Sequence, residues 1–314
     1  MATYLITGGS GFIGSNIAEK LVSNGEKVRI LDNFSTGRIE NLKSIKDDVE
    51  IIEGDIRSLL TVEKSVKGID YILHQAALPS VPRSISDPGT TNEVNISGTL
   101  NILSAAKDLK VKRVVIASSS SIYGDTEILP KKEDMIPNPL SPYAVSKLAT
   151  EYYAKVFYKL YNLSVVVLRY FNVFGQNQNP DSQYSAVIPK FCKAILKNDR
   201  PIIFGDGTQT RDFTHVSNVV NANLLACQSK EAVGQIFNIA CGSQITLNEL
   251  FKQLVDYYKI DIKPLYHTER KGDIKHSYAD ITKAKKILGY EVKTSFNEGI
   301  RITAEYFRTL YKKD

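Results

Sequence analysis

Residues 3–7, Thr-Tyr-Leu-Ile-Thr, run straight into Gly8-Gly9-Ser10-Gly11-Phe12-Ile13-Gly14, and an amphipathic helical pattern over residues 12–23 follows at once. No other feature constrains the chain as much. An apolar strand must end, the backbone must turn tightly, and a helix must start, all within a few residues. The G-x-x-G-x-x-G spacing allots glycines to the turn, to close backbone approach by a bound pyrophosphate, and to packing of the helix on the strand. The unpaired N–H groups of the helix start then favour phosphate charge. A glycine loop alone is weak evidence; its place after the first strand gives it weight.

The alternation continues. Apolar runs at residues 28–31, 49–52, 71–73, 114–117 and 165–168 are separated by helical patterns at 59–66, 92–108 and 143–161. Strands alternating with helices predict an α/β fold with a doubly wound parallel sheet. Several runs are almost wholly apolar, as strands covered on both faces must be. Beyond residue 169 the pattern loosens. It predicts a polar loop at 175–181, a helix at 186–196, a short strand at 202–204 and a turn at 205–207. A helix near 217–227 and a strand at 235–239 that rejoins the main sheet follow, then helices at 247–258, 282–288 and 295–311. The expected division is a dinucleotide-binding domain, residues 1–170 plus about 215–240, and a smaller interleaved substrate domain, 171–214 plus about 241–314.

Composition narrows the function classes. The chain has 314 residues, 43% hydrophobic and 24% charged, in the range of soluble globular proteins. The formal charge of +6 is spread without a block of like charges, so neither nucleic acid nor a membrane is an expected partner. Cys192, Cys227 and Cys241 lack C-x-x-C spacing and read as buried reduced thiols. His74, His215, His267 and His276 lack metal-ligand spacing, so no metal is expected, and His215 reads as a structural hydrogen bonder. With no signal-peptide pattern and no span of eighteen apolar residues, a cytoplasmic protein is expected.

Asp32 ends the second strand, 18 residues past Gly14, where an acid meets the adenine ribose hydroxyls. Its charge repels a 2′-phosphate, which favours NAD over NADP. Asp55-Ile56 after the third strand could edge the adenine, and Gln75-Ala76-Ala77 after the fourth offers small residues for backbone approach. The fifth strand ends in Ser118-Ser119-Ser120-Ser121-Ile122-Tyr123-Gly124, and ligands bind at carboxyl ends of such strands. Downstream, Tyr143 and Lys147 stand at i and i+4, on one face of a helix. An ammonium there could favour the tyrosinate and lower the phenol pKa from about 10, giving a general base. The residues themselves do not choose among the serines.

With Ser141-Pro142-Tyr143-Ala144-Val145-Ser146-Lys147, Arg169-Tyr170-Phe171-Asn172, Gly205-Asp206-Gly207, Arg211-Asp212-Phe213 and Arg270-Lys271-Gly272-Asp273 added, nearly the whole chain resembles an extended short-chain dehydrogenase/reductase of the nucleotide-diphosphate-sugar 4-epimerase kind. The resemblance implies tightly held NAD and a redox-neutral reaction through a 4-keto sugar. Tyr143 would take the 4-OH proton and Lys147 would hold the nicotinamide ribose. A serine, Ser119 by its distance from Tyr123 with Ser120 second, would bridge the 4-oxygen. It also implies cofactor contacts from Phe12, Ile13, Asn33, Ser35, Thr36, Gly37, Asn95, Ser118 and Tyr170, and a homodimer built on the helices near 92–108 and 143–161. Sister enzymes that dehydrate or decarboxylate carry acids just before the Tyr-Gly pair. Ser120 and Ser121 stand there, and elimination needs an added acid/base group.

For the substrate, Arg211 and Arg270 would grip the diphosphate, because guanidinium forks match phosphate oxygens. Asn172 would hold a phosphate or sugar oxygen. Ala186, Val187, Ile202 and Phe204 would line the uridine, and Asp273 would take ribose hydroxyls. Glucose-restricted relatives often have a tyrosine seven residues after the second arginine; Ser277 stands there and leaves room for a 2-acetamido group. The run 78–85, with Ser80 and Val81 as candidate sugar contacts, and Ala186 also resemble the N-acetylated-sugar subgroup. UDP-GlcNAc/UDP-GalNAc interconversion is therefore expected, with UDP-glucose/UDP-galactose as the alternative. Some relatives have a cofactor-touching lysine near position 79, where this chain has Pro79. A non-catalytic dinucleotide sensor is the reading from a different class; such proteins usually lack the tyrosine or lysine, and both are present here.

Overall fold

The computed structural model describes residues 1–181, 186–269 and 275–311. In chain order, β1 (Thr3–Thr7), α1 (Phe12–Ser23), β2 (Lys27–Asp32), β3 (Val49–Glu53), α2 (Leu59–Val66), β4 (Tyr71–His74), α3 (Val81–Ser86), α4 (Pro88–Asn92), α5 (Gly98–Asp108), β5 (Arg113–Ser119), α6 (Pro142–Tyr161) and β6 (Val165–Tyr170) build the first half. The second half adds β7 (Val173–Phe174), α7 (Val187–Leu196), β8 (Ile202–Phe204), β9 (Thr210–Arg211), β10 (Thr214–His215), α8 (Val216–Gln228), β11 (Ile236–Ile239), β12 (Ile245–Thr246), α9 (Leu247–Tyr258), β13 (Leu265–His267), β14 (His276–Ser277) and α10 (Phe296–Tyr311).

Seven parallel strands form the main sheet in the order β3-β2-β1-β4-β5-β6-β11. The strand order turns back between β1 and β4, which opens a crevice at their carboxyl ends. The expected return of the 235–239 strand is met: β11 pairs with β6. Alternation along the strands covers both faces. Ile6, Ile30, Leu73 and Val115 pack with Ile17, Leu21 and Val219 of α1 and α8. Leu5, Leu31, Ile72 and Val114 pack with Val62, Ile102 and Phe157 of α2, α5 and α6. Each such fully buried aliphatic or aromatic side chain contributes about 1.5–3 kcal/mol by leaving water. A third core holds Phe174, Phe191, Phe213, Leu250, Phe296 and Phe307 beneath α7, α9 and α10.

Local chemistry sets the element ends. Ser141 caps α6 by accepting from Ala144 N at 3.2 Å, and Pro142 suits the first helical position. That fixes Tyr143 in the first turn, next to the sheet. Thr246 and Glu249 form a capping box on α9. The helix expected over 92–108 departs from expectation. It begins earlier, at Pro88 behind an Asp87 cap, and widens into a π turn over Glu93–Ser97 before α5. Within this turn the buried Asn95 amide bonds to Leu78 and Ser146. The last helix pattern but one is likewise a π turn, at Ala284–Leu288.

Candidate active site

Gly8 has φ +69°, and a Cβ there would sit 2.8 Å from the Ala76 backbone. A Cβ on Gly14 would lie 2.2 Å from the Gly8 carbonyl oxygen. The loop therefore seats on β4 and α1 seats on the loop only without side chains. Gly14→Ala is expected to cost about 1–3 kcal/mol by overpacking and to lose NAD; thermal unfolding and cofactor titration check both. Gly11 caps α1 without a side-chain hydrogen bond, and the first turn, from Phe12 and Ile13 onward, carries no acid. The positive end of α1 is thus left for an anion, and the loop fits a dinucleotide.

Asp32 is buried and accepts from Ser10 N and Phe34 N, both at 2.9 Å. It braces the glycine loop, while each carboxylate oxygen keeps a further lone pair for a ribose hydroxyl. Gly37 packs so closely that a Cβ would meet Ser10 Oγ at 2.0 Å. Asn33 joins the rim by donating to Asp55 Oδ2 at 2.9 Å and accepting from Ser35 N at 3.1 Å, and Ser35 and Thr36 are exposed beside it. The Asp55 carboxyl is pulled down to about 2, chiefly by its hydrogen bond with the Arg57 side chain. Ile56 is buried under the rim.

Behind the loop, His74 bridges Thr7 Oγ1 at 2.7 Å and Thr99 Oγ1 at 2.8 Å. Thr99 donates onward to the Asn95 carbonyl at 2.6 Å, so it accepts from His74 Nε2–H, which fixes the tautomer. Burial pulls the His74 pKa down to about 3, keeping the ring neutral. Asn95 uses its amide on Leu78 and Ser146, tying the β4 loop to α6 rather than facing outward. Gln75, Tyr170 and Asn223 share hydrogen bonds of 2.8–3.3 Å at the ends of β4 and β6. Ala76 and Ala77 follow in the same crevice.

The serines at the end of β5 separate by what they bind. The Ser118 hydroxyl donates to Glu151 Oε1 at 2.5 Å, away from the crevice. Ser119 Oγ accepts from Ser121 N at 3.2 Å, which leaves its proton free to donate. Its side chain is also the group that opposes the upward shift of the Tyr143 phenol. Tyr143 and Lys147 are both buried on α6. In the chain alone the phenol does not show the fall expected of it: its pKa is raised, because removing phenolate from water outweighs the help of Ser119. The Lys147 ammonium donates to the Ala117 carbonyl at 2.9 Å and is itself pulled down to about 8 by burial. Ser120 begins a short 3-10 turn, and no carboxylate stands at Ser120 or Ser121.

On the substrate side, β9 and β14 pair with Arg211 directly opposite Ser277. Arg211 donates to the carbonyls of Thr210 and Lys275 at 2.8 and 3.3 Å. Asp212 does not pair with it; the buried carboxylate accepts from the backbone of Cys241, Gly242 and Ala279, and burial pushes it up to about 6. Asn172 has φ +31° and donates to the Asp212 carbonyl at 3.2 Å. Ala186 caps α7 without a side-chain bond, ahead of half-buried Val187. Ile202 and Phe204 lie on β8, paired with β13. Ser80 caps α3 by accepting from Arg83 N at 3.1 Å, and Val81 is exposed. Arg270 and Asp273 lie outside the described residues. His215 bonds Ser217 Oγ at 2.7 Å, the structural role expected of it. Cys192 and Cys227 are buried free thiols, while Cys241 is only partly buried.

Glu151 and Arg169 form a buried ion pair at 2.8 Å directly behind the serines. Sequence reading assigned them no role. The signal existed for Glu151, which follows Lys147 by four residues and shares its helical stripe. Among the described residues, no group of three His, Cys, Asp or Glu side chains could hold a metal, and no helix is long and apolar enough to cross a membrane.

Comparison with known proteins agrees with this architecture. A family model described as NAD dependent epimerase/dehydratase matches residues 4–240. The structure of a UDP-N-acetylglucosamine 4-epimerase from Methanobrevibacter ruminantium, in complex with UDP-N-acetylmuramic acid, is 41% identical with a TM-score of 0.94, covering 98% of this chain and 99% of that one. A UDP-glucose 4-epimerase from Thermotoga maritima, with UDP-glucose, is 38% identical at TM-score 0.94 and the same coverage. A Thermus thermophilus UDP-glucose 4-epimerase in complex with NAD is 35% identical at TM-score 0.89, again over 98% and 99% of the two chains. The chain belongs to the NAD-dependent epimerase/dehydratase family of extended short-chain dehydrogenases/reductases.

Proposed function

We infer that the protein is an NAD-dependent UDP-sugar 4-epimerase, and that its substrates are UDP-GlcNAc and UDP-GalNAc. One observation carries the chemistry: a buried tyrosine beside a serine with a free proton, at the carboxyl ends of a sheet whose first loop fits a dinucleotide. Bound NAD would supply the acceptor and donor of a hydride exchanged with the sugar C4. Tyr143 takes the proton from the 4-oxygen and gives it back. Ser119 bridges phenol and sugar, and Lys147 offers its ammonium to the nicotinamide ribose. Behind the serines, the Glu151 carboxylate is held by Arg169 and accepts from Ser118, which engages it away from acid/base work and favours epimerisation over elimination.

The choice of sugar rests on Ser277, which is buried opposite Arg211 and small enough to leave room for an acetamido group. Purified protein given UDP-GlcNAc without added NAD should yield UDP-GalNAc. A higher kcat/KM on the UDP-glucose/UDP-galactose pair would reject the acetamido reading. Ser277→Tyr should fill that space and lower kcat/KM on UDP-GlcNAc by roughly a hundredfold while sparing UDP-glucose. The dinucleotide-binding and interleaved substrate domains keep the bounds given above in this reading. We further infer a homodimer. The outer face of α6 exposes Val145, Tyr152, Val156 and Leu160, the last 70% exposed, a stripe that a second copy of α6 would cover. Leu160→Glu should convert the dimer to monomer in light scattering.

A further inference from the structure

We propose that Glu151 is a positioning residue for Lys147 and Ser119, acting through a clip between α6 and the end of β5; this rests on the catalytic reading of those residues given above. Two side chains one helical turn apart on α6 hold consecutive residues of β5. Lys147 donates to the Ala117 carbonyl at 2.9 Å, and Ser118 donates to Glu151 Oε1 at 2.5 Å. Ser119 is the next residue. The strand end cannot slide along α6 without breaking one of these bonds, so the distance from Ser119 to Tyr143 is set from behind.

Glu151 is itself held on both oxygens. Arg169 Nε and Nη2 donate to them at 2.9 and 2.8 Å, with both side chains 3% exposed. Arg169 Nη1 donates to the Tyr123 hydroxyl at 2.7 Å, which donates to Asn238 Oδ1 at 2.7 Å and ties the clip to β11. Stability alone does not call for such a pair, since apolar residues of similar volume often serve as well. Apolar residues would lack two things: an acceptor for Ser118, and a negative charge one turn from Lys147. The titratable groups around Lys147 are His74 at the end of β4, Tyr143 and Glu151 on its own helix, and Arg169 on β6. Of these Glu151 supplies the negative charge, and it opposes the burial that draws Lys147 down.

Lys147 can be titrated directly by carbon NMR in protein carrying ε-labelled lysine, without cofactor or substrate. Glu151→Gln should lower its pKa by about one unit, and the alkaline limb of kcat should move the same way. If the unpaired Arg169 prevents folding, E151Q/R169Q removes both buried charges and should shift Lys147 in the same direction by less. Ser118→Ala keeps the ion pair and tests the clip: kcat should fall roughly tenfold with KM and the Lys147 titration unchanged. An unchanged Lys147 pKa in the folded Glu151 variants, or wild-type kcat in Ser118→Ala, overturns the proposal. Wild-type protein that turns over no UDP-sugar would overturn the catalytic reading instead, and the Lys147 titration would remain readable.

Discussion

Tyr143→Phe is expected to lower kcat for epimerisation by about 10³-fold or more, at the upper end of what one general acid–base contributes. The change removes a single oxygen. The ring stays buried on α6, and the lost partner is the Ser119 hydroxyl, which still accepts from Ser121 N. Fold and NAD content should therefore survive, and unfolding temperature together with cofactor stoichiometry would show it. The raised phenol pKa in the chain alone adds a constraint. A phenol kept neutral by burial needs positive charge to ionise, and in the chain alone the Lys147 ammonium is engaged by the Ala117 carbonyl. Residual turnover in Tyr143→Phe near the wild-type rate would assign the proton transfer to another group.

Arg169→Met should be the most destabilising single substitution near the site, at about 3–5 kcal/mol. Methionine matches the length of the arginine stem but leaves the Glu151 carboxylate buried with Ser118 alone and strands the Tyr123 hydroxyl. Breaking one side of a buried pair costs more than the pair is worth, because the remaining charge stays out of water. Replacing both, as in E151L/R169M, should restore most of the stability but not the rate. Urea unfolding of the three proteins measures the difference. A single variant within 1 kcal/mol of wild type would mean that water reaches Glu151.

Much of the architecture was legible in local pattern. The helices over Phe12–Ser23, Leu59–Val66 and Leu247–Tyr258 have the expected bounds, since each joins apolar periodicity to a clear start or stop. The two-residue strands β7, β9, β10, β12 and β14 were not legible, because so short a run has no periodicity and exists only through a distant partner. The π turn at Glu93–Ser97 escaped for a similar reason: no local period marks it, and its Asn95 amide is held by Ser146, 51 residues away. Nor does local pattern show that the Asp212 carboxylate is claimed by the backbone of two remote segments, at Cys241-Gly242 and at Ala279.

By itself, the sequence determined the doubly wound sheet, the glycine loop with its acid at Asp32, and a tyrosine and lysine on one helical face. These follow from period, spacing and backbone sterics, which act between near neighbours. The tertiary structure decided the rest. It turned Ser118 to Glu151 and left Ser119 for Tyr143, aimed Lys147 at Ala117, and raised the phenol pKa where spacing had suggested a fall. Those outcomes depend on burial and on partners brought in from other strands, and no spacing along the chain records how much water a side chain will lose.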